Sequence, residues 1–301
     1  MLVAAALVPD TVLLVPGASG VTDVHPDLRA HALDAVRSVL ARGVERVVVV
    51  APGSASTPPG PARVVPGPVR ASLAAAGIPD RALAWSGAGR ASAAAAEPVP
   101  PTVGVPASVA VLLLREAGWT GPVDVVETAP AVAAGPATAE RLRATGREVV
   151  LDRSARTGLV VVGSLSARHG PDAPRADDER APAYDAAVLA DLAEPVPDAL
   201  ERLAALDPGL ASELDVTGWA PWQVLLGALP RAGAADAPPD HGVSAAVHTA
   251  QAPLGAQHVV ATWVVVDAQV RADAQVRADA AVRADARGSA GHRAAPEGTP
   301  A

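Results

Sequence analysis

The chain of 301 residues contains no Cys, Phe, Lys or Asn, and has one Met, one Tyr (Tyr184) and one Ile (Ile78). Phe, Lys, Asn and Ile have A/T-rich codons, so a high-G+C genome is the simplest explanation. Each absence removes a class of chemistry. Without Cys there is no disulfide, thiolate nucleophile, Fe–S cluster or Cys-ligated zinc. Without Lys there is no Schiff base, no pyridoxal-phosphate anchor and no P-loop lysine. Hydroxyls, His, carboxylates and Arg remain. A metal would sit among N and O ligands, which suits Fe(II), Zn, Mn or Mg.

Half of the residues are hydrophobic, but the chain has 71 Ala. Ala buries little area, so the core must be assembled from Val, Leu, Ala and a few Trp. The length fits one large or two small domains.

The net charge of −8 has a location. Between Arg168 and Asp215 stand twelve acids and four Arg, which is −8; the remainder sums to zero. A pair of solvated helix faces explains this more simply than an interaction surface. No basic stripe exists, so no nucleic acid is expected as a partner. Met1–Pro9 is apolar but no basic residue precedes it, which argues against a secretory signal. Two stretches without formal charge, Pro98–Leu114 and Gly242–Val266, are too short or too interrupted to span a membrane. The expectation is a cytoplasmic protein with no membrane partner.

Leu2–Val8 and Val12–Val15 read as short buried strands. His31–Arg42 has helical spacing, with Leu33, Val36, Val39 and Leu40 on one side. Arg46–Val50 is a β-branched run, which completes a βαβ unit with a parallel sheet. Ala51–Pro68, rich in Pro, Gly and Ser, reads as a loop. Val69–Ala76 and Ser108–Ala117 read as helices, and Val123–Val126 and Leu159–Val162 as further buried strands. Ala137–Thr145 is a helix closed by Gly146. Pro182–Leu192, Pro197–Leu206, Pro208–Leu214 and Pro221–Leu229 are helices, the first three set off by Pro and Asp that favour first-turn positions. Gly233–Gly242 is a flexible loop, ahead of strands at Val243–His248 and His258–Val266.

The end differs. Ala268–Asp285 is three copies of a hexamer, AQVRAD, AQVRAD and AAVRAD. Val270, Val276 and Val282 are six apart, so at ~100° per residue they share no helical face. The expected organisation is therefore an α/β domain at 1–267, with a mixed, largely parallel central sheet flanked by helices, and a disordered tail at 268–301.

Candidate chemistry is concentrated at strand ends. Gly17–Gly20 and the turn from Ala51 through Gly53 and Ser54 lie after apparent strands, but neither fits a dinucleotide fingerprint. No nucleophile elbow is present. No two of the seven His residues have metal-binding spacing; Asp240, His241, His248 and His258 share one C-terminal region in which they could converge. The most informative stretch is Gly163–Pro174. It comes after a buried strand, where α/β ligand sites lie, and brings together Ser164, Ser166, Arg168 and His169. A loop whose hydroxyls cap backbone N–H groups explains it equally well.

The segment from Gly163 to Val188 resembles the B-subunit-like (LigB-like) family of class III extradiol ring-cleavage dioxygenases. The family's Gly-Asp-x-Ser-x-Arg strand end is matched by Gly163-Ser164-Leu165-Ser166-Ala167-Arg168. Ala173-Pro174 and Tyr184-Asp185-Ala186-Ala187-Val188 then match its Ala-Pro and acidic helix. Leu206-Asp207-Pro208, Ala220–Leu225, Ala252–Gly255 and Val260–Trp263 are similar to its bacterial single-chain branch. Val8–Pro16 resembles its opening. The likeness is scattered over Met1–Asp267 and is best from Gly163 to Trp263.

The resemblance implies an Fe(II) site of two His and one Glu, with a further His as acid/base. Asp10 stands at the first His position. Gly53 stands at the second and offers no ligand. The acid/base His belongs near Ala167, and the nearest is His169. The Glu has no clear counterpart. The family's catalytic set is thus incomplete in this chain. The expectation is a LigB-like protein that is catalytically degenerate, with a small-molecule pocket near Asp10, Gly53, Ser54, Ser164, Ser166 and Arg168. An active Fe(II)-dependent oxidoreductase with ligands remodelled around Asp10, His25 and His169 or His258, and with Ser166 and His169 as catalytic candidates, is the second reading. A Ser-dependent hydrolase using Ser54 or Ser166 is the third. No oligomeric state is implied.

Overall fold

Val- and Ala-rich runs bounded by Gly and Pro become strands buried on both faces. The computed structural model describes residues 1–20, 24–53, 60–82, 100–131, 136–152, 154–230 and 241–267. The strands are β1 (Leu2–Val8), β2 (Arg46–Pro52), β3 (Ala62–Val65), β4 (Val123–Thr128), β5 (Thr157–Val162), β6 (His241–Gln251) and β7 (His258–Asp267). They form one mixed sheet in the order β3-β4-β2-β5-β1-β7-β6. The central four, β4, β2, β5 and β1, are parallel. β3 is antiparallel on β4, β7 on β1, and β6 on β7.

Strand side chains alternate between faces, and the core divides accordingly. Val47, Val49 and Ala51 of β2 point to one side, against α1 (Pro26–Leu40) and α2 (Val105–Glu116). Val48 and Val50 point to the other. That side is covered by α3 (Pro136–Val149), α4 (Ala181–Ala193), α5 (Pro197–Ala204), α6 (Pro208–Glu213) and α7 (Trp219–Ala228). Continuous apolar runs are what a parallel sheet covered on both faces requires. The larger side chains close the second side: the indole N–H of Trp219 donates to the Leu206 carbonyl at 3.0 Å and that of Trp263 to Leu192 at 2.9 Å.

Several sequence expectations need correction. Val12–Leu14 is a 3₁₀ turn, not a strand; Thr11 caps it by accepting from the Leu13 N–H. The helix expected from His31 starts at Pro26, because Pro is well placed in a first turn. Within the expected loop Ala51–Pro68, residues Ala62–Val65 form the edge strand β3. Val69–Ala76 is not a helix. Arg70 bridges Thr102, and the Asp80 carboxylate captures the Ser72 hydroxyl and the Leu73 N–H, leaving one 3₁₀ turn at Ala74–Ala76. Ser54, the loop residues 231–240 and the hexamer tail 268–301 lie outside the described residues.

Gly146 does not close α3 but lies inside it. A Cβ there would stand 2.0 Å from the Val224 carbonyl oxygen of α7. Reciprocally, a Cβ on Gly227 of α7 would stand 2.0 Å from the Arg143 carbonyl oxygen of α3. The two helices touch backbone to backbone; Arg143 bridges them by donating to Gln223 Oε1, and reaches α5 by donating to the Ala204 carbonyl. Gly146→Ala should therefore cost about 3 kcal/mol or more, since only a helix shift relieves the clash. Urea denaturation checks this: the midpoint should fall with the slope unchanged.

Candidate functional site

Four parallel strands deliver their carboxyl ends to one edge of the sheet. The chain leaves β1 toward α1 on one face and leaves β5 toward α4 on the other. Such a divergence opens the crevice in which open α/β sheets bind ligands. Asp10 lies just after β1 and Ser164 just after β5. β7 runs antiparallel to β1, with Leu7 opposite Ala261, so its first residue, His258, starts beside the end of β1.

These three residues meet. The Ser164 hydroxyl lies 2.6 Å from Asp10 Oδ1 and 2.9 Å from His258 Nδ1. A hydroxyl has one proton and a carboxylate only accepts. With Asp10 as a carboxylate, Ser164 donates to Asp10 and accepts from His258 Nδ1–H. The proton count thus assigns the tautomer and leaves the Nε2 lone pair on His258 available. Burial pushes the His258 pKa down; the Asp10 charge opposes this, and the nearby His25 adds to it. His25 stands at the N-cap of α1, and its Nε2 is buried with no hydrogen-bond partner.

The backbone after β5 is held on both sides. Leu165 N–H donates to the Gln257 carbonyl at 3.0 Å, and Gln257 N–H donates to the Ser166 carbonyl at 2.8 Å. On the opposite side Ser164 N–H donates to Thr217 Oγ1 at 2.8 Å, and Gly218 N–H donates to the Ser164 carbonyl at 3.0 Å. Gly163 and Gly218 allow this approach: a Cβ on Gly163 would stand 2.4 Å from the Gly218 Cα.

Ser166 and His169 belong to a separate node built on Asp185. Ser166 is fully buried and commits both its N–H (3.1 Å) and its hydroxyl (2.7 Å) to the Asp185 carboxylate. His169 Nε2 meets the same carboxylate at 2.6 Å. Both partners point at the acid, so this is not a nucleophile–base–acid chain. Asp185 stitches the post-β5 loop onto α4. The sequence alone gives Asp185 a place in the family likeness but no role. A signal is nonetheless present: Ala181, Asp185, Val188 and Leu192 share a helical face, and all four are buried. An acid on an apolar stripe must have partners.

Other candidates are placed apart. Arg168 donates from Nη1 to the Ala176 carbonyl at 2.8 Å and braces its own loop. His248 does not converge with His258; it meets Thr262 Oγ1 at 2.8 Å, and both burial and the neighbouring His31 lower its pKa. The side chain of His241 lies outside the described residues. Gly53, beyond β2, lines a cleft of about 240 Å³ together with Thr128, Ser212, Asp215 and Thr217. Thr217 joins this cleft to Ser164. Asp215 has a left-handed φ of 58°, which Asp tolerates, and is paired with Arg175.

The residues do not fit a three-ligand iron centre. Gly53 supplies no donor, and the Ser164 hydroxyl stands between Asp10 and His258. Among the described residues no group of three or more His, Asp or Glu side chains is placed to hold a metal ion. No family model matches the chain, and no curated protein matches its sequence.

Both nodes can be tested by denaturation. The folded-state pKa of His258 lies below its ordinary value, so the unfolded chain takes up the proton first. The stability this group contributes is present above about pH 6.5 and is lost as pH falls toward the native pKa. His258→Asn should flatten the fall in urea midpoint between pH 7.5 and pH 5.5, with His248 retaining its own share. Separately, Asp185→Ala leaves the buried Ser166 N–H and hydroxyl unpaired. It should cost about 3–5 kcal/mol, and Asp185→Asn, which keeps an acceptor, should cost less in the same denaturation assay.

Proposed function

We propose that the chain is a LigB-like protein that has lost ring-cleavage chemistry and binds a small hydroxylated molecule at the strand ends. The observation that carries this reading is the convergence of Asp10, Ser164 and His258, joined through the Ser164 N–H to Thr217 on the cleft that Gly53 also lines. The cleft is smaller than the roughly 300–1,000 Å³ usual for drug-sized ligands. On its lining, the Ser212 and Thr217 hydroxyls and the Asp215 carboxylate suit a ligand with hydrogen-bond donors. Gly53 at the family's second His position, and the missing counterpart of its Glu, argue against ring cleavage.

The second reading, an Fe(II)-dependent oxidoreductase with remodelled ligands, draws on Asp10 and His25, each within electrostatic reach of His258. The hydrolase reading has less support: neither the Ser164 nor the Ser166 hydroxyl proton is directed at an imidazole. Small di- and trihydroxybenzenes should raise the melting temperature in a saturable way, and Thr217→Val should abolish the shift. After anaerobic incubation with Fe(II) and gel filtration, metal analysis should find less than one iron per ten chains, and catechol should remain uncleaved. Stoichiometric iron that disappears in Asp10→Ala, or accumulation of a ring-cleaved product, would overturn the proposal in favour of the oxidoreductase.

A further inference from the structure

The sheet has two edges, and they are managed differently. An open edge presents unpaired N–H and C=O groups to any other strand. The β3 edge is protected. It has four residues, it carries Arg63 paired with Glu127, and Pro61 and Pro66 flank it. Short length, charge and flanking Pro are the usual means of blunting an edge.

Within its own eleven residues β6 has none of these. β6 pairs only with β7, through seven consecutive register pairs from His241↔Asp267 to Val247↔Ala261, before an irregularity between Val247 and Thr249. From His241 to Gln251 there is no Asp, Glu, Lys, Arg or Pro. Among the described residues, no backbone group of β6 is bonded on the side away from β7. Ser244 and Ala246 are exposed, as is Val247 at 40 %. Val243, on the face opposite Ser244 and Ala246, is buried in the core, and Ala245 packs against it, anchoring the strand along this stretch.

We propose that this edge is a docking surface for a second copy of the chain, β6 pairing antiparallel with β6 about a two-fold axis near Ser244. Antiparallel self-pairing is the arrangement in which one patch complements itself. An uncharged strand places no like charges opposite each other across the axis. Seven residues on each copy supply about six to eight inter-chain backbone hydrogen bonds, within the range of roughly 5–15 that a specific interface carries. The two seven-stranded sheets then become one continuous sheet. The β3 edge could not serve in this way, because Arg63 would face its own copy.

Light scattering on the full chain, at tens of micromolar, should give twice the 29.9 kDa chain mass. Ser244→Lys should give the single-chain mass with an unchanged circular dichroism spectrum, while Val64→Lys on β3 should remain double. The chain has no Cys, so Ser244→Cys and Ala246→Cys each introduce a unique thiol. Under mild oxidation Ser244→Cys, which meets its own copy at the axis, should form a covalent dimer; Ala246→Cys, four residues out of register with its copy, should not, and nor should Val64→Cys. If Ser244→Lys fails to fold, the cross-linking result decides. A monomeric wild-type chain overturns the proposal. So does a dimer that persists in Ser244→Lys, or one that cross-links through Val64→Cys but not through β6.

Discussion

The structure depends on a constraint of size. A sheet whose central strands are buried on both faces must be covered twice, and this chain covers it without Phe and with few large side chains. Small residues fill less volume, so close packing is reached by bringing backbones together. Gly146 against Val224 and Gly227 against Arg143 are the clearest result: α3 and α7 meet at their peptide groups. The same logic acts at the end of β5, where Gly163 rests on Gly218. Contacts of this kind tolerate no added Cβ, so positions that look like flexible punctuation in the sequence are among its tightest.

The close approach at Gly163 also shapes the candidate site. Because the backbone after β5 lies directly against residues 214–218, Ser164 is held on both sides and its hydroxyl is aimed between Asp10 and His258. Three strands that are distant in sequence thereby share one hydrogen-bonded node. The neighbouring Ser166 is turned the other way, into Asp185, and is spent on holding the loop. Two hydroxyls two residues apart therefore have different roles. Ser164 is drawn toward the end of β1 and the start of β7, and Ser166 toward the buried acid of α4.

Legibility divides along the same lines. The buried strands are readable because uninterrupted Val runs have few alternatives, and the helices because Pro marks their first turns. β3 is hidden: four residues with an Arg inside a Pro- and Gly-rich stretch carry no periodicity, and only pairing with β4 makes them a strand. Val69–Ala76 misleads for the opposite reason. Its local pattern suits a helix, but the Asp80 carboxylate and the bridge from Arg70 to Thr102 take its backbone groups first. At the site, Ser164, Asp10 and His258 each stand out in the sequence as candidates. Their meeting is not legible there, since it depends on β5 being inserted beside β1 and on β7 running antiparallel.

The missing Asn connects these observations. Asn is a common partner for loose backbone N–H groups at turns and caps. Here carboxylates do that work. Asp207 accepts from Leu210 N–H at 2.7 Å, Asp124 from Gly67 at 2.9 Å, Glu127 from Gly104 at 2.6 Å, and Asp185 from Ser166 at 3.1 Å. A carboxylate has a second oxygen to spend, and it does so: Asp124 and Glu127 each also bind an Arg, and Asp185 binds Ser166 again and His169. Such charge-assisted bonds are stronger than those an amide would make. The acids therefore act as joints between elements far apart in sequence as well as surface charge. The excess from Arg168 to Asp215 that reads as a solvated face includes Asp185 and Asp191, both buried. That stretch is acidic partly because its loops and helices are held together by acids.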